Sequence, residues 1–307
     1  MNTFNFDATP IVLSEAKTLK ISQRCLKRHF SRIAHGLYVP NSLLETSSPH
    51  KWPLELRALA IQKIFPNCAI SGFAALHARG VPHIDPLTPI SFWTTSTNAT
   101  RDHKFNAIPR RVSALPPCDN IGELRVVPVA DSVVDAIRAI ETGSASWWVP
   151  NIPGMKWQQI RIIQVIDAAR KYASLTWEDL EAAGRKRIRR QLLKEMWAFS
   201  DPGADSPPET HLRLAVRDLA EWVSQRVFQR SNGVKLTAAD LADEDSKVAL
   251  FYDGEHHLQR AQRDHDSEVL QQLRMQGWEP VRVTAGQMRN IPELRRRIQH
   301  FMDRASR

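Results

Sequence analysis

Residues 240–257 read DLADEDSKVALFYDGEHH, and this stretch decides the fold expected for the C-terminal part of the chain. A polar turn at 243–246 precedes a run at 248–252 that is rich in apolar and aromatic residues. Turn residues of this kind between two strand-like segments indicate a β-hairpin, and a strand that is apolar at nearly every position is typical of one covered on both faces. The pattern therefore predicts a hairpin whose second strand lies inside a sheet.

The same stretch brings carboxylates and imidazoles toward one edge of that sheet. Asp240 lies on the first strand, and residues 253–257 (DGEHH) follow the second. Carboxylate oxygens are preferred ligands of magnesium, so a metal site is one interpretation. The alternative is an ordinary Asp-Gly turn, with two adjacent His side chains on opposite faces of an extended chain.

The stretch resembles the restriction-endonuclease-like superfamily, in the branch of the very-short-patch mismatch repair endonucleases and their bacterial relatives. Asp240-Leu241-Ala242, the interval after it, and Tyr252-Asp253-Gly254 with His257 carry the resemblance. Residues 263–283 fit the family's helix followed by a Gly-Trp strand, and the match covers roughly the last hundred residues. Phe251 stands where many relatives carry a Glu, and a catalytic Lys after the strand is absent.

The resemblance implies a DNA-cleaving α/β/α domain at 206–307 that uses Mg²⁺ or Mn²⁺. The implied metal ligands are Asp240, Asp253 and the backbone carbonyl of Phe251, because the very-short-patch branch also uses a carbonyl at that position. The catalytic candidates are Asp240, Asp253, His257, Glu209 and Asp266, with His256 as a weaker one. His257 is the first candidate for the general base, since neutral imidazole titrates near physiological pH.

Glu209 has two interpretations that do not exclude each other. It lies three residues after Ser206, with Pro207 between them, which is the spacing of a helical capping box. In the resembled family, the matching Glu of the first helix helps to ligate or orient the metal.

Residues 13–40 have the order helix, basic helix, β-hairpin, with Ser22 as N-cap of the second helix and Gly36 at the turn. This order is that of a small winged-helix module, and the ending Gly-Leu-Tyr-Val-Pro at 36–40 resembles the N-terminal domain of AbiEi-type antitoxins. The resemblance implies a DNA-binding module at 1–45. Its contacts would be Arg24, Lys27, Arg28 and Arg32, and the alternative is a solvated basic face.

Between these regions, the sequence predicts a polar linker at 41–53 and a mixed α+β domain at 54–199, ending at the Pro-rich boundary SDPGADSPP, 200–208. An irregular stretch at 143–157 holds three Trp residues, which we expect to plug a core, and the alternative is an exposed loop whose aromatic rings stack on bases. The basic block at 185–194 predicts a helix on which Arg187 and Arg190 contact DNA phosphates, or else a solvated bridging helix.

Charge favours a nucleic-acid partner. The chain of 307 residues carries 42 Lys+Arg and 33 Asp+Glu, a net charge of +9. Residues 201–307 hold 16 basic and 17 acidic residues, so the excess lies in residues 1–200, with 26 basic and 16 acidic. Basic surfaces attract polyanions, although many basic proteins bind none.

Other features predict a cytoplasmic protein without a membrane partner. The three Cys residues lack metal-site or disulfide spacing, and neither a signal peptide nor a long apolar segment is evident. The sequence leaves a homodimer or a protein partner open.

Taken together, the sequence predicts an α+β and α/β architecture with a winged helix, a mixed middle region and a nuclease-like domain. The predicted function is a DNA-binding, metal-dependent endonuclease of bacterial defence or repair. A non-catalytic, antitoxin-like DNA-binding regulator is the alternative, and Phe251 and the missing Lys favour it.

Overall fold

The computed structural model describes the backbone of residues 9–46, 48–253 and 260–305, and their side chains except at 45–46, 260–266 and 305. The chain divides into two compact units. The N-terminal unit comprises Met1–Trp147 and Tyr172–Leu193, and the C-terminal unit comprises Trp148–Lys171 and Lys194–Arg307. Both contain helices and strands, which confirms the predicted mixed α+β class. None of the described helices is long and apolar enough to cross a membrane.

The described strands are β1 Ile11–Val12, β2 Phe30–Ala34, β3 Leu37–Pro40, β4 Cys68–Ser71, β5 Ile90–Thr94, β6 Ala107–Arg111, β7 Asp119–Ile121, β8 Leu124–Val126, β9 Val223–Gln229, β10 Lys235–Asp243, β11 Val248–Asp253 and β12 Glu279–Thr284. The described α-helices are α1 Leu13–Thr18, α2 Gln23–His29, α3 Asn41–Thr46, α4 Leu54–Ile64, α5 Gly72–Ala78, α6 Val129–Glu141, α7 Trp157–Ala173, α8 Trp177–Gly184, α9 Arg190–Ala198, α10 Pro207–Val216, α11 Arg260–Met275 and α12 Ile291–Ala305.

The predicted helix, basic helix and hairpin at 13–40 are confirmed as elements. Ser22 caps α2, because its hydroxyl accepts a hydrogen bond from the Cys25 amide at 3.1 Å. Strands β2 and β3 pair around Gly36, whose φ of 71° a side chain would disfavour, and β1 joins them in a three-stranded sheet. The linker predicted at 41–53 is wrong, since α3 forms there and Trp52 is fully buried.

The second sheet of the N-terminal unit has the strand order β6-β5-β4-β8-β7. Beside it lies Arg57 of α4, which is fully buried. Its guanidinium donates to the carbonyls of Trp52 and Thr88 at 3.0 Å, of Phe105 at 3.2 Å, and of Pro86. Burial lowers the pKa of Arg57 to about 10. Main-chain carbonyls of several loops thus take the place of water around one cation.

The C-terminal unit holds a four-stranded sheet of order β12-β11-β10-β9, in which β11 and β12 are parallel and the other pairs are antiparallel. Leu241 pairs with Leu250 and Asp243 with Val248, so the predicted hairpin is confirmed. The Asp243 carboxylate holds the turn by accepting from the amide of Ser246 at 2.9 Å and from its hydroxyl at 2.5 Å. Strand β11 is buried at its start, as its apolar sequence predicted.

Helices cover this sheet. Val269 and Leu273 of α11 share a buried cluster with Ala249 and Trp278, while α10 and α12 contact each other and β11. Leu250, which follows Ala249 and therefore points to the other face, is also buried. A strand covered on both faces explains why the hairpin sequence is so apolar.

Two further sequence predictions are corrected. The basic block does not form one helix over 185–194, because α9 begins at Arg190. The Trp-rich segment does not plug a core through Trp148 and Trp157, which are 63% and 57% exposed. Val149 and Ile152 of this segment are buried instead, so the smaller apolar side chains anchor it.

Candidate active site

Asp240 lies on β10 at the place where its pairing with β11 ends. The pairing runs from Asp243 and Val248 to Leu241 and Leu250, one residue short of Asp240. There the carboxylate takes over the role of the strand backbone, because Asp240 Oδ2 accepts a hydrogen bond from the Tyr252 amide at 2.5 Å. The hairpin register therefore fixes the position of this acid.

Glu209 is held next to Asp240 by a neighbouring amide. Gln225 of β9 donates to Glu209 Oε2 at 3.0 Å, and its side chain also hydrogen-bonds to Asp240. The backbone of Gln225 has a φ of 54°, which is uncommon for a residue other than glycine and marks local strain. The amide of Gln225 thus links one carboxylate on a helix to one on a strand.

The predicted capping box around Glu209 takes a modified form. Ser206 is the N-cap of α10, but its side chain caps no backbone amide. Glu209 accepts from the Ser206 hydroxyl at 2.7 Å and from the Asp205 amide at 2.8 Å. Both interpretations of Glu209 remain open, since it holds the start of the helix and also lies beside Asp240.

The environment of Asp240 opposes its ionisation. Burial and the charge of Glu209 raise its pKa to about 6, against the lowering effect of the hydrogen bonds from Tyr252 and Gln225. A carboxylate with such a pKa is ionised at neutral pH at the expense of folding stability. Functional sites commonly contain an acid whose ionised state is disfavoured by its surroundings and that lies beside a second acid.

The other candidates on β11 have different surroundings. Asp253, at the end of the strand, forms an ion pair with Arg282 of β12, with Asp253 Oδ2 and Arg282 Nη1 3.4 Å apart. The side chain of Phe251 packs against the buried cluster that contains Ala249 and Leu273. Phe251 therefore has a packing role where a Glu side chain would supply a carboxylate.

Three sequence candidates fall beyond what the structure describes. His256 and His257 lie outside the described residues, and so does the side chain of Asp266 on α11. Among the side chains that are described, no group of three or more His, Cys, Asp or Glu residues could hold a metal ion. Glu209 and Asp240 nevertheless supply oxygen donors of the type that Mg²⁺ and Mn²⁺ bind, so the residues present fit such an ion in part.

The residues predicted to contact DNA in the N-terminal module lie on its surface. Arg24, Lys27 and Arg28 of α2 are exposed, at spacings that place them on adjoining parts of one helix face. Arg32 of β2 is also exposed, and it donates to the Ala34 carbonyl at 3.2 Å.

The two arginines of the basic block differ from each other. Arg187 is buried and pairs with Asp131 at 2.5 Å and with Asp135 at 2.7 Å, both on α6. Arg190 is 72% exposed and pairs with Glu181. Sequence reasoning treated both as surface charges and missed the ion pairs of Arg187. The detectable signal was two acids four residues apart on a mostly apolar helix.

A comparison of the chain with protein-family models finds no match, and a comparison with curated proteins finds none either.

Proposed function

We propose that the C-terminal unit is a metal-dependent DNA endonuclease of restriction-endonuclease-like fold and that residues 1–45 form a winged-helix DNA-binding module. The proposal rests on the resemblance of residues 240–257 and on the arrangement of the acids in this unit. The basic excess of residues 1–200 supports DNA as the substrate.

One observation carries the proposal: two carboxylates from distant parts of the chain meet through Gln225, and one of them, Asp240, has a pKa raised to about 6. Bringing two acids together inside a folded unit costs stability, and a bound cation would offset that cost. A purely structural site would favour a neutral side chain at position 240.

In this proposal, Glu209 and Asp240 hold Mg²⁺ or Mn²⁺. The chemistry available there, with the ion bound, is stabilisation of negative charge on the scissile phosphate and on the leaving oxygen. The Tyr252 amide and the Gln225 side chain orient the Asp240 carboxylate toward a single position. Asp253 and the Phe251 carbonyl remain proposed ligands, and His257 remains the proposed general base.

The decisive experiment is cleavage of supercoiled plasmid with Mg²⁺ by the intact chain and by Asp240→Asn. We expect nicked or linear DNA from the intact chain and at least a hundredfold slower cleavage by the variant. Asp245→Asn, an exposed acid in the same hairpin turn, is the matched control and should cleave normally. Intact plasmid with every protein, in Mg²⁺ and in Mn²⁺, would remove the enzyme proposal.

A non-catalytic DNA-binding regulator is the second candidate, and the packed Phe251 side chain favours it. Its N-terminal module would bind DNA through the exposed basic face of α2. Retardation of DNA that weakens steeply with salt, together with the absence of cleavage, would support this candidate. Replacing Arg24 and Arg28 by Gln should then flatten the salt dependence.

A further inference from the structure

A cavity of about 660 Å³ lies in the N-terminal unit. It is lined by Trp93 of β5, Arg110 of β6, the start of α6, residues 173–175 and Arg187. Sites for small molecules have volumes in this range and combine apolar walls with a few polar groups. The cavity is formed by residues to which the proposed nuclease function assigns no role.

Two guanidinium groups lie over the Trp93 ring of this cavity. The Cζ atoms of Arg110 and Arg187 are 4.8 Å and 5.0 Å from the ring centroid. The Nε atoms of both arginines are buried and lack a hydrogen-bond partner in the described part of the chain. Buried donors of this kind are rare in folded proteins, and here the face of the Trp93 ring lies against both guanidinium groups.

Among the described residues, carboxylates hydrogen-bond to only one of these two arginines. Asp131 and Asp135 both bond to Arg187, and Asp135 also accepts from Ser71 and Trp93 at 2.6 Å. Arg110 has no hydrogen-bonded carboxylate among the described residues, and burial together with the positive charge of Arg187 lowers its pKa. Arg110 is therefore the arginine of this wall that has no bonded acid, although Asp119, Asp131 and Asp179 also line the cavity.

The backbone at the cavity is strained in two places. Ser174, which lines the cavity, has a φ of 53°, and Lys186, which precedes Arg187, has a φ of 61°. Residues other than glycine are uncommon in this region, and such strain concentrates at ligand sites and active sites.

We propose that this cavity binds a mononucleotide, with a phosphate group at Arg110. The planar guanidinium offers paired donors that match phosphate oxygens. Asp119 and Asp179 also line the cavity, so a ligand must present hydroxyl or amino donors in addition to its anionic group. A nucleotide combines both kinds of group, whereas inorganic phosphate leaves most of the volume unfilled.

Isothermal titration calorimetry of the full chain in EDTA tests the proposal without any contribution from a divalent ion. The probes are AMP, ATP, adenosine and inorganic phosphate. At least one nucleotide should bind with a dissociation constant below about 100 µM, and adenosine and phosphate should each bind at least tenfold more weakly. Arg110→Gln should weaken nucleotide binding on the order of 10- to 100-fold, because it removes charged hydrogen bonds.

Arg101→Gln, an exposed arginine of the same unit, is the matched control and should bind like the unchanged chain. Arg110→Lys keeps the charge without the planar fork and should show an intermediate loss, which covers the case in which Arg110→Gln does not fold. The proposal is overturned if no nucleotide gives heat at millimolar concentration or if Arg101→Gln weakens binding equally. Binding of single-stranded DNA that depends on Arg110, without nucleotide binding, also overturns it.

Discussion

Replacing Asp240 by Asn should stabilise the C-terminal unit while it abolishes cleavage. The Asn side-chain oxygen can still accept a hydrogen bond from the Tyr252 amide, as Asp240 Oδ2 does at 2.5 Å. The substitution removes the charge that burial and Glu209 disfavour, together with one of the two acceptor oxygens. A variant that is more stable and inactive would identify Asp240 as an acid kept for function.

The size of the effect follows from the pKa of Asp240, raised from 3.8 to about 6. At about 1.36 kcal/mol per pKa unit this is close to 3 kcal/mol, and partial contact with solvent reduces the expected gain to about 2 kcal/mol. The folded state binds the Asp240 proton more tightly than the unfolded state does, so the contribution of Asp240 to the stability of the unchanged chain rises as pH falls from 6 toward 3.8. The stability that Asp240→Asn gains over the unchanged chain should therefore reach its full value above pH 6. It should fall to about a third of that value at pH 4.5 and vanish below pH 3.8.

Native-state hydrogen exchange of the Ala249 and Leu250 amides, buried in β11, reports the opening of this unit by itself. The free energy of opening should be compared at pH 8 and pH 4.5 for Asp240→Asn, Asp245→Asn and the unchanged chain. Mg²⁺ should stabilise the unchanged chain and not Asp240→Asn. Equal free energies of opening for Asp240→Asn and the unchanged chain at pH 8, or a difference between them that is independent of pH, would refute the reasoning.

The remaining predictions concern other buried groups. Gln225→Leu should raise the pKa of Asp240 further, because it removes a hydrogen bond to the carboxylate, and ¹³C carboxyl NMR titration measures this. Burial lowers the pKa of His211 to about 4, so this residue by itself should cost the C-terminal unit roughly 3 kcal/mol of stability between pH 6.5 and 4, because the unfolded state takes up the proton first. The Asp240 contribution has the opposite sign over this range, so the cost is measured in urea unfolding as the difference between the unchanged chain and His211→Gln, which should lack it. Arg187→Ala should destabilise the N-terminal unit by roughly 3 kcal/mol in thermal and urea unfolding, since two carboxylates lose their partner, whereas Arg190→Ala should change it by less than about 0.5 kcal/mol.

Local sequence pattern predicted the hairpin that carries Asp240. Turn residues at 243–246 and the apolar run at 248–252 specify both strands, and the strand register then follows. The helix cap at Ser22 and the turn at Gly36 could be predicted for the same reason, because caps and turns depend on residues that are neighbours in the chain.

Contacts between distant segments could not be predicted in this way. The Gln225 side chain contacts Glu209 of α10 only once β9 has joined the sheet. No local sequence pattern predicts this hydrogen bond between a side-chain amide and a carboxylate. Arg187 pairs with Asp135 across 52 positions, so a basic block that looked like a surface contains a buried ion pair. The exposed Trp148 shows a related limit, since hydrophobicity alone does not say which side chains of an irregular segment turn inward.

The buried guanidinium of Arg57 has a consequence for the dynamics of the N-terminal unit. The carbonyls of Trp52, Pro86, Thr88 and Phe105 all depend on this one group. If one of their segments detached alone, the buried cation would lose one of its hydrogen-bond acceptors, which costs free energy. The segments should consequently exchange their amide protons with solvent at a common rate, as a single cooperative block, although more than fifty residues of chain separate the first from the last.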